Sequence, residues 1–207
     1  MKLLSFDPAG KKFGIAGIEF NSMTSDSTPG AVDQSLRLYL HHLIEAPISK
    51  DFDGSKRTQY MAHVAACVVS LDQPDVIVSE KPWGMGFSKD SLLQLIGALK
   101  AELWRNIEWQ GVSEARRAVL GDSWGGSTKQ ATAEWLLNYP WDISSKRFIK
   151  SQIDSANPST DDGYDILDAI LHGICYLVKS HGLIPVHKPK KERKRKARGV
   201  DSQEQKE

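Results

Sequence analysis

The chain has 207 residues, of which 40% are hydrophobic and 26% charged, with a formal net charge of +1; this is ordinary for a soluble protein built as one packed domain, with or without a tail. No run of about 18 apolar residues occurs, which excludes a recognisable transmembrane helix, and the run Leu3-Leu4-Ser5-Phe6 behind Met1 is too short for a signal peptide. Cys67 and Cys175, the two cysteines, sit in apolar helix-like stretches and read as reduced core residues of a cytosolic protein, with no zinc site between them.

In chain order, "KLLSF" is a short apolar strand ending at Asp7, and "PAGKK" supplies a turn through Pro8 and Gly10. "FGIAGIEF", residues 13–20, resumes as a strand, which makes a hairpin with a loop of about five residues. Residues 21–34 are rich in Ser, Thr, Asp, Gly and Pro and read as a loop. "SLRLYLHHLIE", residues 35–45, reads as a third strand, with a short helix as the alternative. Residues 55–71 carry a helical apolar pattern through Tyr60, Val64, Cys67, Val68 and Leu71, broken by Gln73-Pro74-Asp75. "VIVSE", residues 76–80, is a compact β-branched strand ending on Glu80.

"KPWGMGFS" follows as a loop, and residues 89–107 read as a long helix, N-capped by Ser88, with Leu92, Leu93, Leu95, Ile96, Leu99, Leu103 and Trp104 on a broad apolar face. "ARRAVLGDSWGGS" reads as a short strand and a Gly-rich loop, and a helix follows over about residues 127–138. Thr160 is expected to cap the last helix, which runs to about Ser180 before Gly182 and Pro185 stop it. Strands first, then strand and helix in alternation, predict an α/β fold with a mixed sheet.

The charge is unevenly spread. From His187 to Glu207 nine Lys or Arg stand against four Asp or Glu, a net of +5 that leaves −4 on the residues before it. Lys190, Lys191, Arg193, Lys194, Arg195 and Lys196 form the centre of this stretch. Like charge without apolar partners predicts a disordered tail over residues 187–207, behind a domain spanning 1–186. Such a tail attracts nucleic acid through counterion release without reading its sequence. A solubilising tail or an import signal is the alternative.

The chemistry sits in the acids. At about 100° per residue, Asp161, Asp165, Asp168 and His172 fall on one stripe of the last helix, among Ile166, Leu167, Ile170 and Leu171. The stripe therefore faces the fold or its edge. Asp7 and Glu80 each end an apolar strand, and in α/β sheets functional side chains gather at the carboxyl ends of strands. Neighbouring strands with the last helix packed across them would bring four carboxylates together. Such a cluster takes up protons or needs a counter-charge. Mg²⁺ prefers oxygen ligands, and two ions roughly 4 Å apart form the clamp for in-line phosphodiester hydrolysis. Each acid also has a plainer reading: Asp161 and Asp162 complement a helix N-terminus, Asp165 and Asp168 face solvent, Asp7 starts a turn, and Glu80 ends a strand.

Four stretches carry a resemblance. "LSFDPAGKKFGIAG" resembles the opening strand-turn-strand of RuvC-type Holliday junction resolvases, and "VIVSEKPW" that family's second strand motif, with an aromatic three residues after the acid. "LGDSWGGSTKQATAEWL" is similar to its Gly-rich segment with a lysine opening the next helix, and "DILDAILHG" to its last-helix motif. The order and approximate spacing agree over residues 1–180. The resemblance implies a ribonuclease-H-like fold with a mixed five-stranded sheet flanked by helices. It also implies a homodimeric endonuclease, dependent on Mg²⁺ or Mn²⁺, that resolves four-way DNA junctions by paired nicks.

It carries over Asp7, Glu80, Asp165 and Asp168 as metal ligands, Lys129 beside the scissile phosphate, and Arg116 or Arg117 as a second basic contact. Trp83 takes the place of the aromatic at the junction crossover, where stacking on bases tolerates any sequence; a core tryptophan is the alternative. There are departures. Ala9 stands where a glycine is expected, residues 21–55 are a longer insertion, and the basic tail is an addition. They point to a divergent relative, viral or phage-borne and then acting in the host cytoplasm, and leave room for wider action on forks and flaps. His172 reads first as a packing histidine, with metal ligation or proton transfer as alternatives. The rival readings are an actin-like ATPase or sugar-kinase relative, a non-catalytic junction-binding protein, and an RNA–DNA hybrid nuclease.

Overall fold

The computed structural model describes residues 1–8, 12–24, 32–47, 49, 53–81, 89–121, 128–160 and 163–183. Among these residues five strands, β1 (Lys2–Pro8), β2 (Lys12–Thr24), β3 (Val32–Glu45), β4 (Val76–Glu80) and β5 (Glu108–Gln110), form one mixed sheet in the order β3-β2-β1-β4-β5. β1 and β2 pair antiparallel, as do β2 and β3, whereas β1, β4 and β5 run parallel. Among the described residues six helices cover the two faces: α1 (Gly54–Asp72), α2 (Lys89–Leu103), α3 (Val112–Leu120), α4 (Lys129–Leu136), α5 (Ile143–Ser155) and α6 (Asp165–Ser180). The expected α/β class and mixed five-stranded sheet flanked by helices are what the described residues adopt.

Two cores follow from the period-2 alternation of strand side chains. Leu4, Phe6, Phe13, Ile15 and Ile77 point to one face and pack under α1 and α2. Leu3, Ala16, Ile18 and Val78 point to the other and pack under α3 to α6. By the same parity Asp7 and Glu80, at the carboxyl ends of adjacent parallel strands, project toward the α6 side. α6 is mostly apolar apart from the stripe of Asp165, Asp168 and His172, and it is buried over most of its length, from Leu167 to Leu177.

Glycines set how closely α6 sits. A Cβ on Gly14 would fall 2.1 Å from the Asp165 carbonyl oxygen, and one on Gly173 would fall 2.6 Å from Ile18 Cδ1 and 3.0 Å from Ser5 Oγ. Gly14 is paired with Asp7 across the β1–β2 ladder. The bare backbone beside Asp7 is thus what admits the first turn of α6.

Several expectations need correction. Residues 21–24 and 32–34 belong to β2 and β3, paired from Asn21↔Ser35 to Thr24↔Val32, because a ladder of backbone hydrogen bonds does not require apolar side chains. The "ARRAVL" stretch is helical in α3, not a strand. Glu114 reaches back to the Gly111 N–H at 3.2 Å, and Ala115, Val119 and Leu120 bury one face. α1 packs through the small-residue stripe Met61, Ala62, Ala65 and Val69, so Tyr60, Cys67 and Leu71 are exposed, Leu71 by 88%. Cys175 is buried as expected, but Cys67 is not a core residue.

α2 stops at Leu103; Trp104 adopts a φ of 49° and is 91% exposed instead of extending the apolar face. α6 begins at Asp165 behind the buried Tyr164, whose carbonyl accepts from the Asp168 N–H, and Thr160 belongs to a turn closed on Asn157. α5 was not anticipated. Asp142 caps it through a 2.8 Å bond from the Ser145 N–H. Ser88 and the Gly-rich segment at 122–127 lie outside the described residues.

Candidate active site

Asp7, Pro8, Glu80, Val112, Arg116, Lys129, Asp165, Asp168, Leu171 and His172 line one cavity of about 230 Å³. β1 delivers Asp7 and β4 delivers Glu80. α6 delivers Asp165, Asp168 and His172, spaced three and four residues apart and so stacked on one face. α3 delivers Arg116. Thr128 caps α4 by accepting from the Ala131 N–H at 3.1 Å, which sets Lys129 at the first helical position.

Asp7 is only 7% exposed. Burial raises its carboxyl well above the ordinary range, and the charge of Asp168, a side-chain hydrogen bond with Glu80 and the charges of Glu80 and Asp165 raise it further. Burial raises Glu80 too, while the Asp7 hydrogen bond, Lys129 and Arg116 pull it down. Asp168 is raised by burial against the opposing pull of Lys129 and Arg116. Lys129 Nζ lies 2.7 Å from Asp168 Oδ2. His172 is 1% exposed. Burial, helped by Arg116, pushes its imidazole down to about 4, which leaves the ring neutral at pH 7 although its Nε2 is 3.9 Å from Glu80 Oε2.

Three groups in the cavity, Asp7, Glu80 and His172, offer ligand atoms within 4.8 Å of one another. The donor set fits a divalent cation. Buried carboxylates that hold on to protons are short of positive charge, and an oxygen-rich cluster is what Mg²⁺ or Mn²⁺ takes.

The cavity thus gathers Asp7, Glu80, Asp165, Asp168 and Lys129, all expected to act together. Of the two arginines it admits Arg116; Arg117 is exposed on the next position of α3, beside Ser113, Glu114, Ala118 and Lys179. Trp83, Asp161, Asp162 and the tail cations Lys190, Lys191, Arg193, Lys194, Arg195 and Lys196 lie outside the described residues. Gln110 was not anticipated. This buried residue ends β5, and its amide, turned so that the nitrogen meets the His172 carbonyl at 3.1 Å and the oxygen the Tyr176 N–H at 3.2 Å, pairs both atoms and fastens α6 to the sheet edge. Its only advance signal was a polar residue closing a stretch too short to read as a strand.

No protein-family model matches the sequence, and no curated protein matches it. Solved structures do match in fold. Thermus thermophilus RuvC overlays with a TM-score of 0.58 at 15% identity, covering 88% of this chain and 98% of that one. T. thermophilus RuvC in complex with a Holliday junction substrate gives 0.59 at 13% identity, covering 88% and 96%. The Fowlpox virus resolvase, solved with substrate Holliday junction DNA, gives 0.45 at 16% identity, covering 85% and 98%. The chain shares the RuvC fold.

Proposed function

We propose that this protein is a divalent-metal-dependent endonuclease acting on branched DNA, with the four-way junction as its principal substrate and a homodimer as its working form. The observation that carries the reading is the convergence of buried Asp7 and half-buried Glu80, Asp165 and Asp168 beside Lys129, in a fold shared with a protein solved on a Holliday junction.

In this reading Asp7, Glu80, Asp165 and Asp168 hold Mg²⁺ or Mn²⁺, and the bound cation supplies Lewis-acid activation of water and neutralises charge on the phosphodiester. Lys129 keeps an ammonium group at the cavity, where it offsets charge on the phosphate as the leaving oxygen departs. Arg116 adds a second fixed cation that favours an incoming phosphate. The sheet side of the cavity, closed by Asp7 and Glu80, orients the acids and limits access of bulk water. Attack in line with the 3′ oxygen leaves a 5′-phosphate and a ligatable nick. Trp83 and the basic tail serve affinity for the junction, and residues 1–186 form the nuclease domain ahead of that tail.

The test is cleavage of a labelled four-way junction in Mg²⁺ or Mn²⁺ by the wild type and by Asp7→Asn, with a fork and a linear duplex as controls. Paired nicks from the wild type, and binding without cleavage by the variant, are expected. Equal cutting of forks and flaps keeps the chemistry and widens the substrate. An absence of cutting with either metal overturns the reading, and nucleotide binding would then test the ATPase alternative.

A further inference from the structure

We propose that the cation site of this chain is a mixed oxygen and nitrogen site, in which the His172 imidazole ligates the same divalent ion as Asp7 and Glu80, so that Mn²⁺ and Co²⁺ bind it in preference to Mg²⁺. The inference rests on the reading above that Asp7 and Glu80 hold a cation, and it adds the identity of the third ligand and the metal preference that follows.

Three observations carry it. The first is distance. The ligand atoms of Asp7, Glu80 and His172 all fall within 4.8 Å of one another. Two ligands of one ion at about 2.1 Å each lie no more than roughly 4.2 Å apart, so modest side-chain shifts suffice. The second is an unmet polar group. His172 is 1% exposed, its Nδ1 has no hydrogen-bond partner among the described residues, and its Nε2 stands 3.9 Å from Glu80 Oε2, beyond hydrogen-bond reach. A histidine whose role is packing pairs a ring nitrogen when it is this deeply buried. This one instead faces the carboxylates of the cavity.

The third is the disposition of Asp168. Its carboxylate is engaged by Lys129 at 2.7 Å and is not among the three mutually close groups. The imidazole, one helical turn further along α6, takes the position beside Glu80. Gln110 braces that turn through the His172 carbonyl and the Tyr176 N–H, and so holds the ring in place.

The chemistry of the donors sets the preference. Mg²⁺ is a hard ion that takes oxygen ligands and keeps its waters. Imidazole nitrogen favours the first-row transition ions, whose affinity rises along that series. One nitrogen among carboxylates therefore tilts the site toward Mn²⁺ and Co²⁺ without excluding Mg²⁺.

The full chain loaded with Mn²⁺ provides the test, read by pulsed electron paramagnetic resonance for coupling to ¹⁴N and by competition binding of Mn²⁺ against Mg²⁺. The wild type should show ¹⁴N modulation from one directly bound imidazole. His172→Gln should lose that signal, bind Mn²⁺ about tenfold or more weakly and bind Mg²⁺ with a smaller change, while its circular dichroism stays that of the wild type. The wild-type spectrum needs no variant, so misfolding of His172→Gln cannot mask the answer. Mn²⁺ that binds in an Asp7-dependent way without ¹⁴N modulation overturns the mixed site and leaves the nuclease reading standing. Absence of Mn²⁺ binding, or binding that Asp7→Asn leaves unchanged, overturns both.

Discussion

Asp7 shows what a buried acid cluster costs before it binds anything. Burial and neighbouring carboxylates raise Asp7, Glu80 and Asp168 above their ordinary values. The folded chain therefore holds protons that the unfolded chain releases near pH 4. The stability tied to those protons is present below that pH and is lost as pH rises through the raised folded-state values. Without metal, the melting temperature should fall across that window, and excess Mg²⁺ should restore it progressively as the carboxylates ionise. Asp7→Asn should melt higher than the wild type in chelator at neutral pH, by about 2–4 °C for each kcal/mol recovered, and should blunt the Mg²⁺ response. Thermal melts against pH, with and without metal, decide it.

Lys129 makes a second prediction at this scale. Lys129→Met removes the ammonium group 2.7 Å from Asp168, so cleavage should fall by about 10²–10³-fold while junction binding persists. Single-turnover cleavage beside gel-shift binding separates the two. The acids themselves were legible because strand ends and a helical stripe are patterns of one dimension. Gln110 was not, because its value lies in a contact with His172, far away in the sequence. Nor could the choice between Arg116 and Arg117 be made until α3 was a helix with a buried side.

Elements decide how well those residues meet. Gly14 and Gly173 let α6 rest directly on β1 and β2, and the tightest contact falls at the Asp165 backbone, next to Asp7. Gly14→Ala should destabilise the protein by about 1–3 kcal/mol, because backbone and not a flexible side chain must move, and it should impair cleavage by displacing the first turn of α6. Gly97→Ala is the control. Nothing lies within 4 Å of its added Cβ, and an alanine in a helix should add about 0.5–1 kcal/mol. Urea unfolding of the two variants should move in opposite directions.

The same scale shows where pattern reading stopped. β4 matched its reading to the residue because β-branched runs bounded by Pro and an acid are unambiguous. "ARRAVL" was not, since six residues fit either period until the Gly111–Glu114 cap is known. α1 hid its packing face because its buried stripe is made of Ala and Met, and the larger Tyr60 and Leu71 face outward.

Across the whole molecule, the strand order β3-β2-β1-β4-β5 puts the first strand at the centre. That order was not legible in the sequence, because hydropathy does not specify which strands neighbour each other. Charge is also a property of this scale. The −4 of residues 1–186 and the +5 of residues 187–207 predict that truncation after residue 186 will flatten the salt dependence of junction binding by several units of log–log slope, while leaving metal-dependent cutting of saturating substrate intact. Binding titrations across a salt series measure the slope directly.

The central place of β1 has a consequence for biosynthesis. Asp7 in β1 and Glu80 in β4 leave the ribosome before Asp165 and Asp168, which follow the described strands β1–β5 and helices α1–α5. Domains begin folding while synthesis proceeds, yet here a nascent chain, or a product broken off before α6, holds two of the four acids and lacks the helix that closes the cavity. On the proposed nuclease reading, cutting is therefore withheld until α6 has been made. A host expressing successive truncations should tolerate every one that ends before residue 165.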